Sequence, residues 1–321
     1  MKDYSVDYSA VEDVQDVVKL MCEQEATTYK RSDYLNQDPT LEVEVADATW
    51  RQRIIEWMYG VVDHCALRRD SVGVAAIFLD LCVERNLVES RQEFQLAAMT
   101  SLQLSIKLYD STMVKLDSMV KLGRGQFQIQ DVVEMERKLL TALKWQVHPP
   151  TSLCFLRQYL QLVPPTVSSM TRYMLSEVTR FISEISVCLY KFVKYPPSAV
   201  AYATLVIAME RIGESVLASW ERQEILTRVA NTLEESVVHS PLMMEIYHLL
   251  QNSLQKNVNL DHLLQTIEVQ CGGVESFVHH GKKKQPLLRG NDYYLQQQQQ
   301  QQLQQQLSTH VHHHSPRDVV Q

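Results

Sequence analysis

The sequence predicts an all-α protein made of two tandem five-helix bundles. From about residue 47 to residue 256, apolar side chains recur at the three- and four-residue spacing of helices, and no strand-like alternation of any length interrupts them. In each half, the third helix in sequence is rich in small residues, over 97–105 and over 198–209. A helix without a polar face is a buried one, so we expect each of these helices to lie at the centre of its bundle.

Composition favours a soluble, intracellular protein that binds neither a membrane nor nucleic acid. The 321 residues carry a net charge of −7, whereas nucleic-acid binders usually present a basic face. No run of about eighteen apolar residues could span a membrane, and the acidic N-terminus lacks the apolar segment of a signal peptide. The cysteines are scattered without a C-x-x-C pair, so we expect small buried thiols and no disulfides.

The chain divides into four predicted segments. Residues 1–40 are expected to form an acidic, mobile arm with one short amphipathic helix near Val11 to Cys22. The first bundle is predicted over 41–150 and the second over 151–265. Residues 266–321 form a low-complexity tail rich in glutamine and histidine, which cannot bury a core and is expected to be disordered.

Local end signals set the helix boundaries in the first bundle. Asp70 or Ser71 caps its second helix, Ser90 and Glu93 form a capping box at the start of its third, and Pro149-Pro150 ends its fifth. The helices predicted in this bundle are 47–67, 70–86, 91–110, 112–122 and 130–145. The second bundle repeats the helix order but not the residues, with helices predicted at 151–160, 166–194, 198–212, 218–237 and 241–256.

No pattern typical of an enzyme, a cofactor site or a metal site occurs in the sequence. Gly123-Arg124-Gly125 lacks the preceding strand of a phosphate-binding loop and is interpreted as a turn. His310 and His312 to His314 lie in the tail without cysteines or fixed spacing on an element, so no metal is expected there. We therefore predict a binding protein without catalytic residues or cofactors.

Four charged residues of the first bundle stand where helical spacing predicts apolar ones. They are Arg51, Asp80, Lys107 and Glu136. Charges near an interior need partners, because removing one partner of a buried pair costs roughly 3–5 kcal/mol. Internal bracing is favoured for Arg51 and Asp80. For Lys107 and Glu136, bracing and contact with another protein are equally compatible with the residues.

The motifs of the first bundle resemble those of the cyclin family. The matching stretches are Arg51–Trp57 (RQRIIEW), Phe78–Val83 (FLDLCV), Leu96–Tyr109 (LAAMTSLQLSIKLY) and Val133–Trp145 (VEMERKLLTALKW). In the second bundle, Tyr195-Pro196-Pro197-Ser198-Ala199 is similar to the corresponding point of D-type cyclins. Each short motif is weak alone, but their combination and spacing are specific.

This resemblance implies a role for each of the four charges. Arg51 and Asp80 would form an internal ion pair, while Lys107 and Glu136 would hydrogen-bond the chain entering the αC helix of a cyclin-dependent serine/threonine kinase. We predict that apolar neighbours supply much of the contact: Leu104, Leu108, Ile129, Val133 and Leu140. Kinase inhibitors and substrates are further candidate partners, and the nucleus, the cytoplasm or both are the expected location.

Some residues depart from the family's patterns. Trp50 and Arg53 replace the Met and the first aliphatic residue of the substrate-docking motif, although Trp57 remains, so we expect only a vestigial docking patch. Gln24 stands where an L-x-C-x-E retinoblastoma-docking motif needs glutamate, and no R-x-x-L destruction box occurs in the N-terminal arm. The missing destruction box, together with the D-like residues 195–199, favours a G1/S role over a mitotic one.

Other functions are compatible with a helical fold of this kind. A transcriptional cyclin, or a nucleic-acid-binding protein resembling transcription factor IIB, is the main alternative. Zinc-ribbon cysteines and a basic surface would favour the latter, and the sequence has neither. A non-activating scaffold with the same fold is a further alternative.

Overall fold

The computed structural model describes residues 8–37, 47–111, 114–123, 125–233, 238, 240–255, 260 and 262–266. All of them belong to one unit, residues 1–278. The predicted tail, residues 266–321, lies outside the described residues apart from residue 266. The structure confirms the all-α class with two tandem bundles, since the described part of the chain holds helices and no strand.

Two helices precede the first bundle, and five helices build it. The bounds are α1 Tyr8–Ala26, α2 Tyr34–Gln37, α3 Ala48–His64, α4 Asp70–Glu84, α5 Arg91–Tyr109, α6 Leu116–Leu122 and α7 Ile129–Ala142. The second bundle contains α8 Ser152–Gln161, α9 Ser169–Cys188, a 3₁₀ turn Tyr190–Phe192, α10 Pro197–Ile212, α11 Ser219–Ala230 and α12 Pro241–Leu254.

The two small-residue helices lie at the bundle centres, as the sequence predicts. Helix α5 packs against α4 and α7, with Ala97, Ala98 and Leu102 fully buried. Helix α10 packs against α8, α9 and α12, and nearly all of its residues are buried. Small side chains permit this close approach because they leave room for the neighbouring helices.

The predicted capping box at α5 is present with a shifted partner. The Ser90 hydroxyl accepts the Glu93 backbone N–H at 3.2 Å. The Glu93 carboxylate accepts the N–H of Glu89, one residue before the cap, at 2.8 Å. Two backbone donors at the helix start are therefore satisfied, which fixes where α5 begins.

Residues 8–37, which lie within the predicted N-terminal arm, form helices α1 and α2, and α1 packs against the second bundle. The predicted short helix is longer, over Tyr8–Ala26, and it packs against α8 with Val14 and Val18 buried. Glu25 is buried and accepts the backbone N–H of Ser198 at 2.9 Å as well as its hydroxyl. Because α10 has no side-chain cap of its own, an acid from the N-terminal helix caps a helix of the second bundle.

Arg69 joins the two bundles. Its guanidinium donates to both carboxylate oxygens of Glu184, at 3.0 and 2.7 Å, and to Asp63 at 2.5 Å. The same group lies 4.5 Å from the centre of the Tyr59 ring. Such a network of paired charges fixes α9 of the second bundle against the end of α3 in the first.

The cysteines only partly follow the sequence expectation. Cys82 and Cys188 are buried, and burial raises the pKa of each thiol, that of Cys82 to about 12. Cys65, in contrast, is exposed immediately after α3, where the helix has left the core. Helical spacing did not predict that Cys65 is exposed, because the apolar stripe of α3 continues up to this residue.

Candidate functional site

Lys107 and Glu136 pair with each other across two helices. The Lys107 Nζ lies 2.6 Å from the Glu136 Oε1. Lys107 belongs to the last turn of α5 and Glu136 to the middle of α7, and these helices pack together. The side chains are 40% and 19% exposed, respectively, so the pair lies at the surface and not in the interior that the helical pattern suggested for Lys107.

The end of α5 explains this exposure. Ile106 is fully buried, whereas Lys107 and Leu108 are exposed one and two residues later. The helix ends at Tyr109, and its last turn therefore leaves the core. A cation in the last turn of a helix is also favoured by the helix dipole.

Exposed apolar residues lie beside the pair on α7. Ile129 and Val133 are exposed and stand four residues apart, so they share the face that Glu136 occupies one turn later. Leu140 continues this stripe and is partly buried against the core. Together with Leu108 on α5, these residues form what we name the α5–α7 ledge: Lys107, Leu108, Ile129, Val133, Glu136 and Leu140.

Leu104 does not belong to the exposed part of this surface. It is 3% exposed and lies in the core, so the expectation that it supplies contact area needs correction. One helical turn separates it from Leu108, and over that turn α5 passes from the interior to the surface. Leu104 supports the ledge from below.

Trp145 is a surface residue whose position was not predicted. It is 73% exposed, and both it and Lys144 have left-handed backbone angles, with φ of 62° and 51°. A side chain in this conformation costs roughly 1–2 kcal/mol relative to glycine. The Trp145 N–H donates to the Leu140 carbonyl at 3.0 Å, which places the residue at the carboxyl end of the helix that carries the ledge.

The sequence did contain a signal for Trp145. No glycine follows α7, although helices commonly end in a left-handed glycine. Lys144 and Trp145 occupy this position despite the strained backbone, which favours a functional role for their side chains.

Arg51 and Asp80 form a buried bidentate pair. The Arg51 Nε and Nη2 lie 2.7 and 2.9 Å from the two carboxylate oxygens of Asp80. Burial alone would lower the pKa of Arg51, but the adjacent Asp80 carboxylate raises it. The remaining Nη1 donates to the carbonyls of Val187 and Cys188 at 3.1 and 3.3 Å, so this pair also connects the two bundles.

Two residues of the N-terminal segment complete this cluster and were not foreseen. The Tyr34 hydroxyl donates to Asp80 Oδ1 at 2.9 Å, and an Arg31 nitrogen lies 3.7 Å from Oδ2. Burial, and then the Asp80 carboxylate, raise the pKa of Tyr34. Tyr34 therefore keeps its proton and remains a donor.

A cavity of about 280 Å³ opens beside Trp57. Its lining residues are Ile54, Trp57, Gln95, Met99, Leu122, Gly123, Gln126 and Phe127. Trp50 and Arg53 are not among them; Trp50 is partly buried, with the Arg91 guanidinium 5.5 Å from its ring, and Arg53 is exposed. Trp50 and Arg53, the two replacements behind the expected vestigial patch, therefore do not fill the cavity beside Trp57.

No described helix has the length and apolarity to cross a membrane. Within the described residues, no three His, Cys, Asp or Glu side chains converge in a metal-binding arrangement.

Two tandem helical bundles, with an ion pair and exposed apolar residues at one surface, define a two-domain all-α protein. Residues 16–148 match the family description "Cyclin, N-terminal domain", and residues 150–265 match "Cyclin, C-terminal domain". The chain belongs to the cyclin family.

Individual relatives agree with this membership. The chain is 26% identical over 155 residues to "Putative cyclin-A3-1" of Arabidopsis thaliana, covering 48% of this chain and 43% of the relative. It is 24% identical over 184 residues to "G2/mitotic-specific cyclin-2" of Medicago sativa, covering 56% of this chain and 54% of the relative. The chain thus matches about half the length of these relatives.

A solved structure supports the fold. The crystal structure of a viral cyclin from herpesvirus saimiri is similar with a TM-score of 0.56, covering 76% of this chain and 97% of that one. The identity is 12%, so this likeness bears on the fold alone.

Proposed function

We propose that this chain is the regulatory subunit of a cyclin-dependent serine/threonine kinase and activates it by binding. The observation that carries the proposal is the α5–α7 ledge, where a surface ion pair lies beside exposed Leu108, Ile129 and Val133. Paired polar groups that fix register, next to apolar contact area, are typical of protein interfaces.

Activation requires no chemistry from the chain itself. A protein kinase is competent only when a lysine on its third strand pairs with a glutamate of its αC helix. A surface that binds the kinase better with αC in that position shifts the equilibrium by the difference in affinity. The rigid helix pair α5 and α7 supplies such a surface.

The mutual bond between Lys107 and Glu136 does not prevent this role. An exposed ion pair contributes only about 0–1 kcal/mol to stability, and the Lys107 side chain is 40% exposed. The pair can therefore open at small cost and redirect the Lys107 ammonium and the Glu136 carboxylate to backbone carbonyls and N–H groups of a kinase. Trp145 would add apolar area at the end of the same helix.

The test is kinase activation by the doubly changed protein. We expect Lys107→Ala with Glu136→Ala to stay folded and to lose most activation of a co-purified cyclin-dependent kinase. Glu134→Ala with Lys138→Ala is the matched control, since both residues are exposed on α7 away from the ledge. Normal activation by the first double variant would refute the proposed roles.

The cavity beside Trp57 supports a second role, the docking of kinase substrates or inhibitors. Its walls include Trp57, Ile54 and Phe127, and Gln95 supplies a polar group at the same site. A cavity of about 280 Å³ has room for an apolar side chain of a docking peptide. Trp57→Ala should reduce phosphorylation of docking-dependent substrates and leave phosphorylation of a short peptide substrate unchanged. Equal loss on both substrates would contradict a docking role.

The cell-cycle stage of this activity is a separate part of the proposal. The D-like residues 195–199 support a G1/S role, whereas two of the named relatives are an A-type and a G2/mitotic cyclin. Abundance and associated kinase activity in synchronised cells, peaking before DNA replication, would support G1/S. A peak at mitosis would exclude a G1/S role.

The alternative that resembles transcription factor IIB is tested by filter binding to duplex DNA. We expect no binding.

A further inference from the structure

A second cavity lies in the second bundle, far along the chain from the ledge. It has a volume of about 260 Å³ and forms where the segment before α2 and the 3₁₀ turn meet α12. Its lining residues are Asp33, Tyr190, Lys191, Lys194, Tyr195, Glu245 and Leu249. Neither the proposed kinase contact nor the docking cavity beside Trp57 uses any of them.

Two charges of this cavity are already satisfied by neighbours. Asp33 accepts the Tyr190 hydroxyl at 2.9 Å. The Lys194 ammonium lies 4.0 Å from the other Asp33 oxygen. The charges of Asp33 and Lys194 therefore compensate each other.

The other two charges, Lys191 and Glu245, have no ionic partner in the described part of the chain. Lys191 donates to the Leu249 carbonyl at 3.5 Å, the outer limit of a hydrogen bond, and partial burial lowers the pKa of its ammonium. Glu245 accepts the Tyr195 hydroxyl at 2.5 Å. Among the described residues, no carboxylate lies within 4.0 Å of Lys191 and no cation within 4.0 Å of Glu245.

We propose that this cavity binds a polypeptide segment that places an acidic side chain at Lys191 and a basic side chain at Glu245. The Leu249 side chain and the tyrosine rings supply apolar contact for the chain between the two charges. This inference goes beyond the proposed kinase activation and does not depend on it.

Charge complementarity favours this occupant over a simple anion. The lining holds two lysines and two acids, so its formal charge is zero, and a dianion such as phosphate would meet carboxylates as well as ammonium groups. A segment with both signs pairs each free charge with its opposite.

The exposed rim favours a polypeptide over a free amino acid. Lys191, Lys194 and Glu245 are all exposed residues. Small-molecule sites usually bury about 70–90% of their ligand, which a rim of exposed charges does not provide. A longer segment can lie across the cavity and gain contacts on both sides.

The test begins with a displayed library of random ten-residue peptides, selected on the full chain and measured afterwards by fluorescence polarisation. We expect selected peptides to contain one acidic and one basic residue. Lys191→Met and Glu245→Gln should each weaken binding about tenfold, whereas Lys138→Met and Glu134→Gln, exposed charges on α7, should leave it unchanged. Circular dichroism checks that each variant is folded.

A charge-swap variant distinguishes a loss of binding from a loss of folding, because it is expected to gain binding to different peptides. Lys191→Glu combined with Glu245→Lys keeps the formal charge, so it should bind peptides in which the acid and the base have exchanged places, and lose the original ones. Selection of uniformly acidic or phosphorylated peptides would overturn the proposal in favour of an anion site. Absence of any selected peptide, or binding insensitive to both variants, would also overturn it.

Discussion

The Lys107 ammonium and the Glu136 carboxylate lie 2.6 Å apart on two packed helices, and the pair lies at the surface, with the Lys107 side chain exposed and the Glu136 side chain half-buried. Neither is needed to stabilise the interior, because the pair lies at the edge where α5 ends. A bond that holds two groups in place and costs little to open suits a surface that must later contact another polypeptide.

Removing this pair should barely change stability. We expect Glu136→Ala to lower the free energy of unfolding by about 0–1 kcal/mol, with the smaller effect at high salt, because exposed ion pairs are weak and screened. Urea denaturation at two salt concentrations measures it. A loss of several kcal/mol would mean that the pair braces the fold, and its role in binding would be in doubt.

The pair between Arg51 and Asp80 should behave in the opposite way. Asp80→Ala leaves a buried guanidinium without its partner, and we expect a loss of roughly 3–5 kcal/mol in the free energy of unfolding. Arg53→Ala, which removes an exposed arginine two residues from Arg51, should change it by less than about 0.5 kcal/mol. Similar losses for both variants would contradict the buried bidentate geometry.

Trp145 should show opposite effects on stability and on binding. Trp145→Gly relieves a left-handed backbone, and the greater entropy of glycine in the unfolded chain offsets part of that gain. We therefore expect the free energy of unfolding to rise by about 0.5–1 kcal/mol. The same change should weaken kinase affinity roughly tenfold or more if the ring is an interface anchor. Lys144→Gly is the control: it should stabilise to a similar degree and leave affinity unchanged. Equal kinase affinity of the two variants would show that the Trp145 ring does not contact the kinase.

The cap that Glu25 provides for α10 predicts a pH dependence. Burial raises the pKa of Glu25 above its usual 4.5, although the Ser198 hydrogen bonds oppose this. A raised folded-state pKa means that the folded state holds the proton more tightly. The contribution of Glu25 to stability is therefore fully present below about pH 4.5 and falls as pH rises through the folded-state pKa.

Comparison with Glu25→Gln isolates this effect. The free energy of unfolding of the variant, minus that of the unchanged protein, should increase from pH 4 to pH 7 and then level off. Chemical denaturation at several pH values measures it. A difference that decreases over this range would show that the pKa of Glu25 is lowered, because ionic partners outweigh burial.

Sequence patterns predicted the helices better than they predicted the surface. The stripe of small residues in α5 and α10 located both bundle centres, because a helix with no polar face has only one stable environment. The same apolar pattern gave no sign that α5 would leave the core between Leu104 and Leu108. That depends on where the neighbouring helices end, which is a tertiary property.

The N-terminal segment shows the same limit. Its acidic composition suggested a mobile arm, but Glu25, Arg31 and Tyr34 each find partners far along the chain in Ser198 and Asp80. Contacts over such separations leave no local periodicity. Composition alone therefore could not separate a solvated charge from a capping or bracing one.

The most direct test of the central claim is a side-chain footprint of the kinase complex by hydroxyl-radical oxidation. Trp145 and Trp220 are both highly exposed in the chain alone, the first beside the ledge and the second on α11. Complex formation should protect Trp145, Leu108 and Val133 from oxidation and leave Trp220 as reactive as before. Unchanged oxidation of Trp145, Leu108 and Val133 in a stable complex would show that the kinase binds elsewhere.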